Sequence, residues 1–244
     1  PVSSAASDVY KRQRQGRMID ALVHPGRNGY LWTLERSADD ISFVDAEPYV
    51  YQNAFASLDP ETGRPTYDPK HKPTTGSTTS FCPSLWGGKD WPPAAYNPES
   101  GLLYIPANDN HCGVIEGREV TYMPGSAYMG ARTQMTVPEG ADHIGEIQAW
   151  DMNTGEEVWT REFDSHNWGG ILTTSGNLIF SGGTSDRMFR AHNASTGELL
   201  WEFKANSGII GVPSTFSVDG KQYVAVQAGW GVDAASMTAR LDMV

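Results

Sequence analysis

No stretch of the chain approaches the roughly 18 consecutive apolar residues of a membrane helix, and mean hydropathy is −0.43, so no spanning helix is expected. Basic residues are in deficit. Lys and Arg total 18 against 29 Asp and Glu, a formal net charge of −11, so no basic stripe exists to neutralise phosphates and a nucleic-acid partner is excluded. Cysteine is nearly missing: Cys82 and Cys112 are the only two, and neither sits in a CxxC or CxxCH, which removes support for zinc and covalent haem sites. By count alone the pair is also compatible with buried free thiols. No GxSxG, P-loop or dinucleotide fingerprint is present. The six histidines are scattered, with no pair at ligand spacing, and read as surface or satisfied residues with no metal site among them.

What is present is a repeat. Residues 149–159 read AWDMNTGEEVW and residues 191–201 read AHNASTGELLW, with Ala149 and Ala191, Thr154 and Thr196, Gly155 and Gly197, and Trp159 and Trp201 in one frame. Weaker echoes occur in LDPETGRPTYDP at 58–69 and AYNPESGLLYIP at 95–106. The offset of about 42 residues suits four short antiparallel strands with their turns. Runs such as ILTT, NLIFSGG, LLWEF and KQYVAVQAG, broken by Gly, Asn, Asp and Ser, are strand and turn chemistry. Asp151–Gly155 and Asn193–Gly197 read as hairpin turns, with Gly supplying positive φ. The expected fold is all-β, a β-propeller of four-stranded blades, with 149–190 and 191–231 as neighbouring blades. Trp159 and Trp201 are expected to be buried at equivalent inter-blade positions.

Residues 1–14 fit nothing that follows. PVSSAASDVYKRQ lacks both the blade pattern and the apolar stretch of a signal peptide, and resembles translated sequencing-adapter read-through. This segment is expected to be a non-native or disordered leader, with the C-terminal blades of a propeller occupying 15–244. Asn193-Ala-Ser195 formally matches a glycosylation acceptor, but it lies in a repeat turn.

Three stretches carry more than architecture: RNGYLWTLER at 27–36, FCPSLWGGKDWPPAAYNPESGLLYIPAN at 81–108, and SGIIGVPSTFSVDGKQYVAVQAGWG at 207–231. In combination they resemble the C-terminal half of the pyrroloquinoline-quinone (PQQ)-dependent alcohol dehydrogenases, over about Gln15 to Gly231. The resemblance implies part of an eight-bladed quinoprotein propeller in the bacterial periplasm. Its activity would be oxidation of a small primary alcohol by hydride transfer to PQQ, with calcium or a lanthanide as Lewis acid and a c-type cytochrome as electron acceptor. It also implies that the metal ligands and the catalytic aspartate lie upstream of this chain, which alone is expected to be inactive.

By the same resemblance Arg27 stands where the family places a cation beside the quinone oxygens, a catalytic and cofactor-binding role. Trp168 in HNWGG matches a cofactor-contacting tryptophan, and it breaks the repeat, since Ile210 occupies the equivalent place. Gly229 and Trp230 match residues lining the cofactor edge. Asp90 departs from the family, which commonly has Asn in GGK-x-W. A carboxylate there would oppose charge developing on the quinone unless Lys89 or Arg27 neutralises it. Cys82 and Cys112 match a structural disulfide of the methanol-oxidising members, suited to an oxidising compartment. Arg27, Trp168 and Trp230 are expected to converge on one polar cavity near the propeller axis. The competing reading is a cofactor-free propeller of the same repeat, acting as an envelope assembly scaffold; it needs the repeat tryptophans but not Arg27, Trp168, Gly229 or Trp230.

Overall fold

The computed structural model describes residues 8–14, 17–125 and 130–230, with the strand alone given for 8–14 and Arg17. Residues 1–7, the boundary near Gln15 and the blade end at Gly231 lie outside the described residues. In chain order the first sheet holds β1 (Asp8–Arg14), β2 (Arg17–Pro25), β3 (Tyr30–Arg36) and β4 (Ile41–Pro48), paired sequentially. A hairpin of β5 (Phe55–Leu58) and β6 (Pro65–Tyr67) follows, then β7 (Thr78–Phe81), β8 (Ala95–Asn97), β9 (Leu102–Asn108), β10 (Cys112–Gly117) and β11 (Ala131–Thr136). The remaining strands are β12 (Gly145–Asp151), β13 (Glu157–Phe163), β14 (Ile171–Thr174), β15 (Leu178–Ser181), β16 (Met188–Asn193), β17 (Leu199–Lys204), β18 (Ser214–Val218) and β19 (Lys221–Ala225). A 3-10 turn at Pro69–His71 is the one helical segment among the described residues.

Two more four-stranded sheets stack after the first, β8-β9-β12-β13 and β14-β15-β16-β17, while β7-β10-β11 forms a three-stranded sheet on an excursion from the middle one. β9 shows why they stack. All seven of its residues are buried. Leu103, Ile105 and Ala107 pack with Ile19, Ala21, Val23 and Leu31 of the first sheet. The alternate residues Leu102 and Tyr104 pack with Ile171, Ile179 and Ala194 of the next. One strand therefore serves two cores through its period-2 alternation, the packing of blades around an axis.

The repeat is confirmed in spacing and corrected in phase. The turns at 151–155 and 193–197 are equivalent, each joining the third and outermost strands of its sheet, β12 to β13 and β16 to β17. The sheets themselves span 95–163 and 171–204, not 149–190 and 191–231. A period gives the distance between equivalent residues but says nothing about where a unit begins.

The tryptophans need a second correction. Trp159 is half-buried: its Nε1 donates to the Ala194 carbonyl at 3.0 Å, and it lies so close over Gly197 that a Cβ there would come within 2.6 Å of the indole. Trp201, by contrast, is 50% exposed. The following sheet's Thr-Gly turn is what covers Trp159, and no further Thr-Gly turn follows Gly197 among the described residues. Asp8–Arg14 pairs along β2 as the edge strand of the first sheet. The unpaired backbone of an edge strand accepts any extended segment, whatever its sequence pattern.

Candidate functional site

Arg27 lies in the β2–β3 turn, HPGRNGY, and is fastened to the loop at 82–91 at three points. Its carbonyl accepts from Gly88 N at 3.1 Å, its Nη2 donates to the Leu85 carbonyl, and the same nitrogen lies 3.4 Å from Asp90 Oδ2. Gly87 makes this approach possible, because a Cβ there would sit 2.5 Å from the Arg27 carbonyl oxygen and its φ is +74°. The Arg27 side chain nevertheless stays 58% exposed, so its fork has donors to face a ligand. Asp90 is thus matched by Arg27. Lys89 is buried and gives its Nζ to the Asp90 carbonyl at 3.0 Å.

Trp168 is 6% exposed and follows Asn167 in the loop between β13 and β14. Its backbone N donates to Gly183 O at 3.0 Å, and its ring lies 5.7 Å from that of Trp86 and 6.1 Å from that of His166. Trp86 belongs to the loop that carries Asp90, so the Arg27 and Trp168 regions adjoin. The buried aromatic group is completed by His111, whose ring centroid is 5.1 Å from Trp86.

Gly229 and Trp230 reach the same end of the sheets through glycine contacts. Gly229 N donates to Gly208 O at 2.6 Å, and Ile209 pairs with Gly229 in an isolated parallel bridge. Gly182 packs on Ile209, and Gly183 packs on Gly169 beside Trp168. Trp91 and Gly229 line one cavity of about 420 Å³, with Gln227 and Val212, but neither Arg27 nor Trp168 is in its wall. The five site residues are therefore linked step by step rather than gathered in that cavity.

Trp230 lies flat on Gly208, where a Cβ would fall 1.9 Å from the indole. Gly208→Ala is accordingly expected to dislodge Trp230, with a stability cost of about 1–3 kcal/mol and a red shift in tryptophan emission. Unchanged emission and unfolding would mean that Trp230 does not rest there.

Cys82 and Cys112 form the disulfide, with Cα atoms 4.4 Å apart. Sequence reasoning missed the histidine chemistry. His111, His166 and His192 are buried, and His111 Nε2 and His192 Nδ1 have no hydrogen-bond partner among the described residues. His143 was also passed over: its Nδ1 is 2.8 Å from Asp142, its Nε2 2.8 Å from Glu146 Oε1, and with Asp109 and Glu146 it forms a trio whose ligating atoms lie within 4.8 Å. The H-x-x-E spacing at 143–146 was the available signal. Burial pushes the Glu146 carboxyl up to about 7, with the Asp109 charge adding to it against hydrogen bonds from Gln148 and His143.

Against this geometry the comparisons are specific. A family described as "Glucose/ethanol/alcohol dehydrogenase, beta-propeller domain" matches residues 160–224. The quinoprotein alcohol dehydrogenase PedH of Pseudomonas putida is 36% identical over 222 residues, covering 88% of this chain and 36% of that protein. The lanthanide-dependent methanol dehydrogenase of Methylacidiphilum fumariolicum is 40% identical over 221 residues, covering 89% of this chain and 36% of that protein. The chain belongs to the PQQ-dependent alcohol dehydrogenase family. A solved europium-containing methanol dehydrogenase superposes with a TM-score of 0.84 at 37% identity, over 94% of this chain and 41% of that one. The quinoprotein propeller fold is thereby shown, and the chain spans little more than a third of the length of the curated relatives it matches.

Proposed function

We propose that this chain forms the quinone-facing wall of a periplasmic quinoprotein dehydrogenase that oxidises a primary alcohol, with calcium or a lanthanide as Lewis acid. The observation that carries the reading is Arg27: a permanent cation, tethered to Leu85, Gly88 and Asp90, yet more than half exposed. PQQ is an anionic o-quinone. A fixed guanidinium with spare donors, an adjoining buried indole and a Gly208–Trp230 surface fit such a group. When bound, PQQ with its metal would supply the two-electron acceptor and the Lewis acid.

This chain's residues supply orientation and electrostatics. Arg27 presents positive charge that need not reorganise when negative charge develops nearby, because the Leu85 carbonyl and Asp90 already hold its fork. Asp90 reduces the net charge at that point while fixing the geometry, which makes it a counter-ion rather than an opposing charge. Trp168, shielded from water, offers an apolar face and one indole N–H. The disulfide supports an oxidising compartment, and a c-type cytochrome acceptor belongs to the same proposal.

The test is Arg27→Ala in a full-length enzyme carrying this sequence. With PQQ and metal saturating, kcat is expected to fall about a hundredfold, the scale of about 3 kcal/mol for one preorganised electrostatic contact. A variant with normal kcat would make Arg27 a turn residue and remove the basis of the assignment.

A further inference from the structure

Three of the candidate loops meet at two buried asparagines. Asn108 ends β9 and is 3% exposed; Asn167 precedes Trp168 and is 1% exposed. The Asn108 side chain holds both backbone groups of Asn167: Oδ1 accepts from Asn167 N at 2.7 Å, and Nδ2 donates to Asn167 O at 3.1 Å. The backbone N of Asn108 donates to Gly88 O at 2.7 Å, and Gly88 N in turn donates to Arg27 O at 3.1 Å. A continuous path of hydrogen bonds therefore runs from Arg27, through Gly88 beside Lys89 and Asp90, to the residue before Trp168.

The arrangement is specific. A side-chain amide that satisfies the N–H and C=O of a single residue imitates a strand partner, so it fixes the position and the direction of the loop it grips. The loop is free to lie there because Gly145, opposite Asn108 in the β9–β12 register, has no Cβ; one would come within 2.3 Å of Ser165 O and 2.7 Å of Asn167 N. Asn167 uses its own amide separately: Nδ2 donates to Glu146 O at 2.8 Å, and Oδ1 accepts from Gly169 N at 3.3 Å. The two side chains thus do different jobs. Asn108 joins two loops of the candidate site, while Asn167 anchors its own loop to β12.

We propose that Asn108 is a positioning residue for the quinone site, setting Trp168 relative to Arg27 and Asp90, and that Asn167 is the residue through which it acts. This rests on the reading of the site as a PQQ site. It predicts that the Asn108 side chain affects ligand binding through Trp168 and not merely through general stability.

The experiment uses a full-length enzyme carrying this sequence and two readouts. The first is acrylamide quenching of tryptophan fluorescence, with Trp168 isolated as the difference between each protein and its Trp168→Phe counterpart. Asn108→Ala is expected to raise the quenching of Trp168 at least twofold, whereas Asn167→Ala, which leaves both Asn108 bonds possible, is expected to raise it less. The second is titration with PQQ in calcium buffer. Two lost hydrogen bonds at a buried site correspond to about a tenfold weaker Kd for Asn108→Ala. In a Trp168→Phe background the same substitution is expected to cost less than about twofold, the non-additivity of residues acting as a unit.

If the unsubstituted full-length enzyme binds PQQ and Asn108→Ala binds equally well, or loses as much with Phe at 168, the positioning role is wrong. If the unsubstituted full-length enzyme binds no PQQ, the cofactor reading fails. The quenching readout then still decides the clamp, which is refuted if Trp168 in Asn108→Ala is as protected as before. Urea unfolding of each variant separates a poorly folded protein from a displaced loop, and Asn108→Ser, which keeps one hydroxyl to bond Asn167, is expected to recover part of the protection.

Discussion

Replacing Cys82 and Cys112 together by serine is expected to lower unfolding free energy by about 3–4 kcal/mol, the chain-entropy value for a cross-link closing a loop of this size. The two are separated by 30 positions, and the loop they close carries Asp90, Trp91 and the whole of β8 and β9. Without the bridge, the unfolded chain regains the freedom of that loop, while the folded state keeps other ties. Asn53 bonds both backbone groups of Cys82, at 2.8 and 3.1 Å, and Ser84 N donates to His111 O at 2.7 Å. These contacts define the alternative. Urea unfolding of the double variant, set beside the reduced and oxidised parent, measures the difference; a cost below about 1 kcal/mol would mean that Asn53 and Ser84 hold the segment unaided. The functional consequence is local, because the bridge is the N-terminal post of the loop that grips Arg27.

Much of this was legible in the sequence, for reasons that also explain what was not. The all-β class and the spacing of the sheets followed from strand chemistry and from the Thr-Gly-x-x-x-Trp echo. The sheet boundaries did not, because equivalent residues at 159 and 201 are equally consistent with any phase. Trp201 was expected to be buried like Trp159, yet burial depends on a neighbour's turn, here Ala194 and Gly197 over Trp159, and not on the tryptophan's own frame. Arg27 and Asp90 were each singled out, and their contact at 3.4 Å turns a doubtful carboxylate into a counter-ion.

The buried polar residues were the least visible. Asn108 and Asn167 are 59 positions apart and belong to no motif of their own, so only the meeting of β9 with the loop after β13 makes them partners. The same holds for His111, which looked like one scattered histidine and lies at 2% exposure beside Trp86 and the disulfide. Sequence patterns report which side chains prefer burial; they do not report which polar ones the fold will trap.

Those trapped histidines should make the protein acid-labile. Burial pushes the imidazoles of both His111 and His192 down from 6.5 to about 4, helped by His166 beside the first and by Arg190 and Arg161 beside the second. Between those values the unfolded chain binds protons that the folded chain refuses, so stability is full above pH 6.5 and is lost as pH falls towards 4. Each histidine is expected to cost about 3 kcal/mol once it must be charged. Glu146 works in the opposite direction. Its folded pKa is raised from 4.5 to about 7, so over that interval the folded state holds the extra proton and gains stability as pH falls. Counting these three groups alone, two histidines against one carboxyl, the parent protein's loss between pH 7 and pH 4 is about 3 kcal/mol, and the raised pKa of His143 works with Glu146 against it. Glu146→Gln removes the offset and should steepen the loss to about 6 kcal/mol, whereas His192→Gln should nearly flatten it. Urea midpoints measured at half-unit steps of pH test both variants. A parallel shift of all three curves, with no change of slope, would show that these groups titrate alike in the folded and unfolded chains and that their burial costs them nothing.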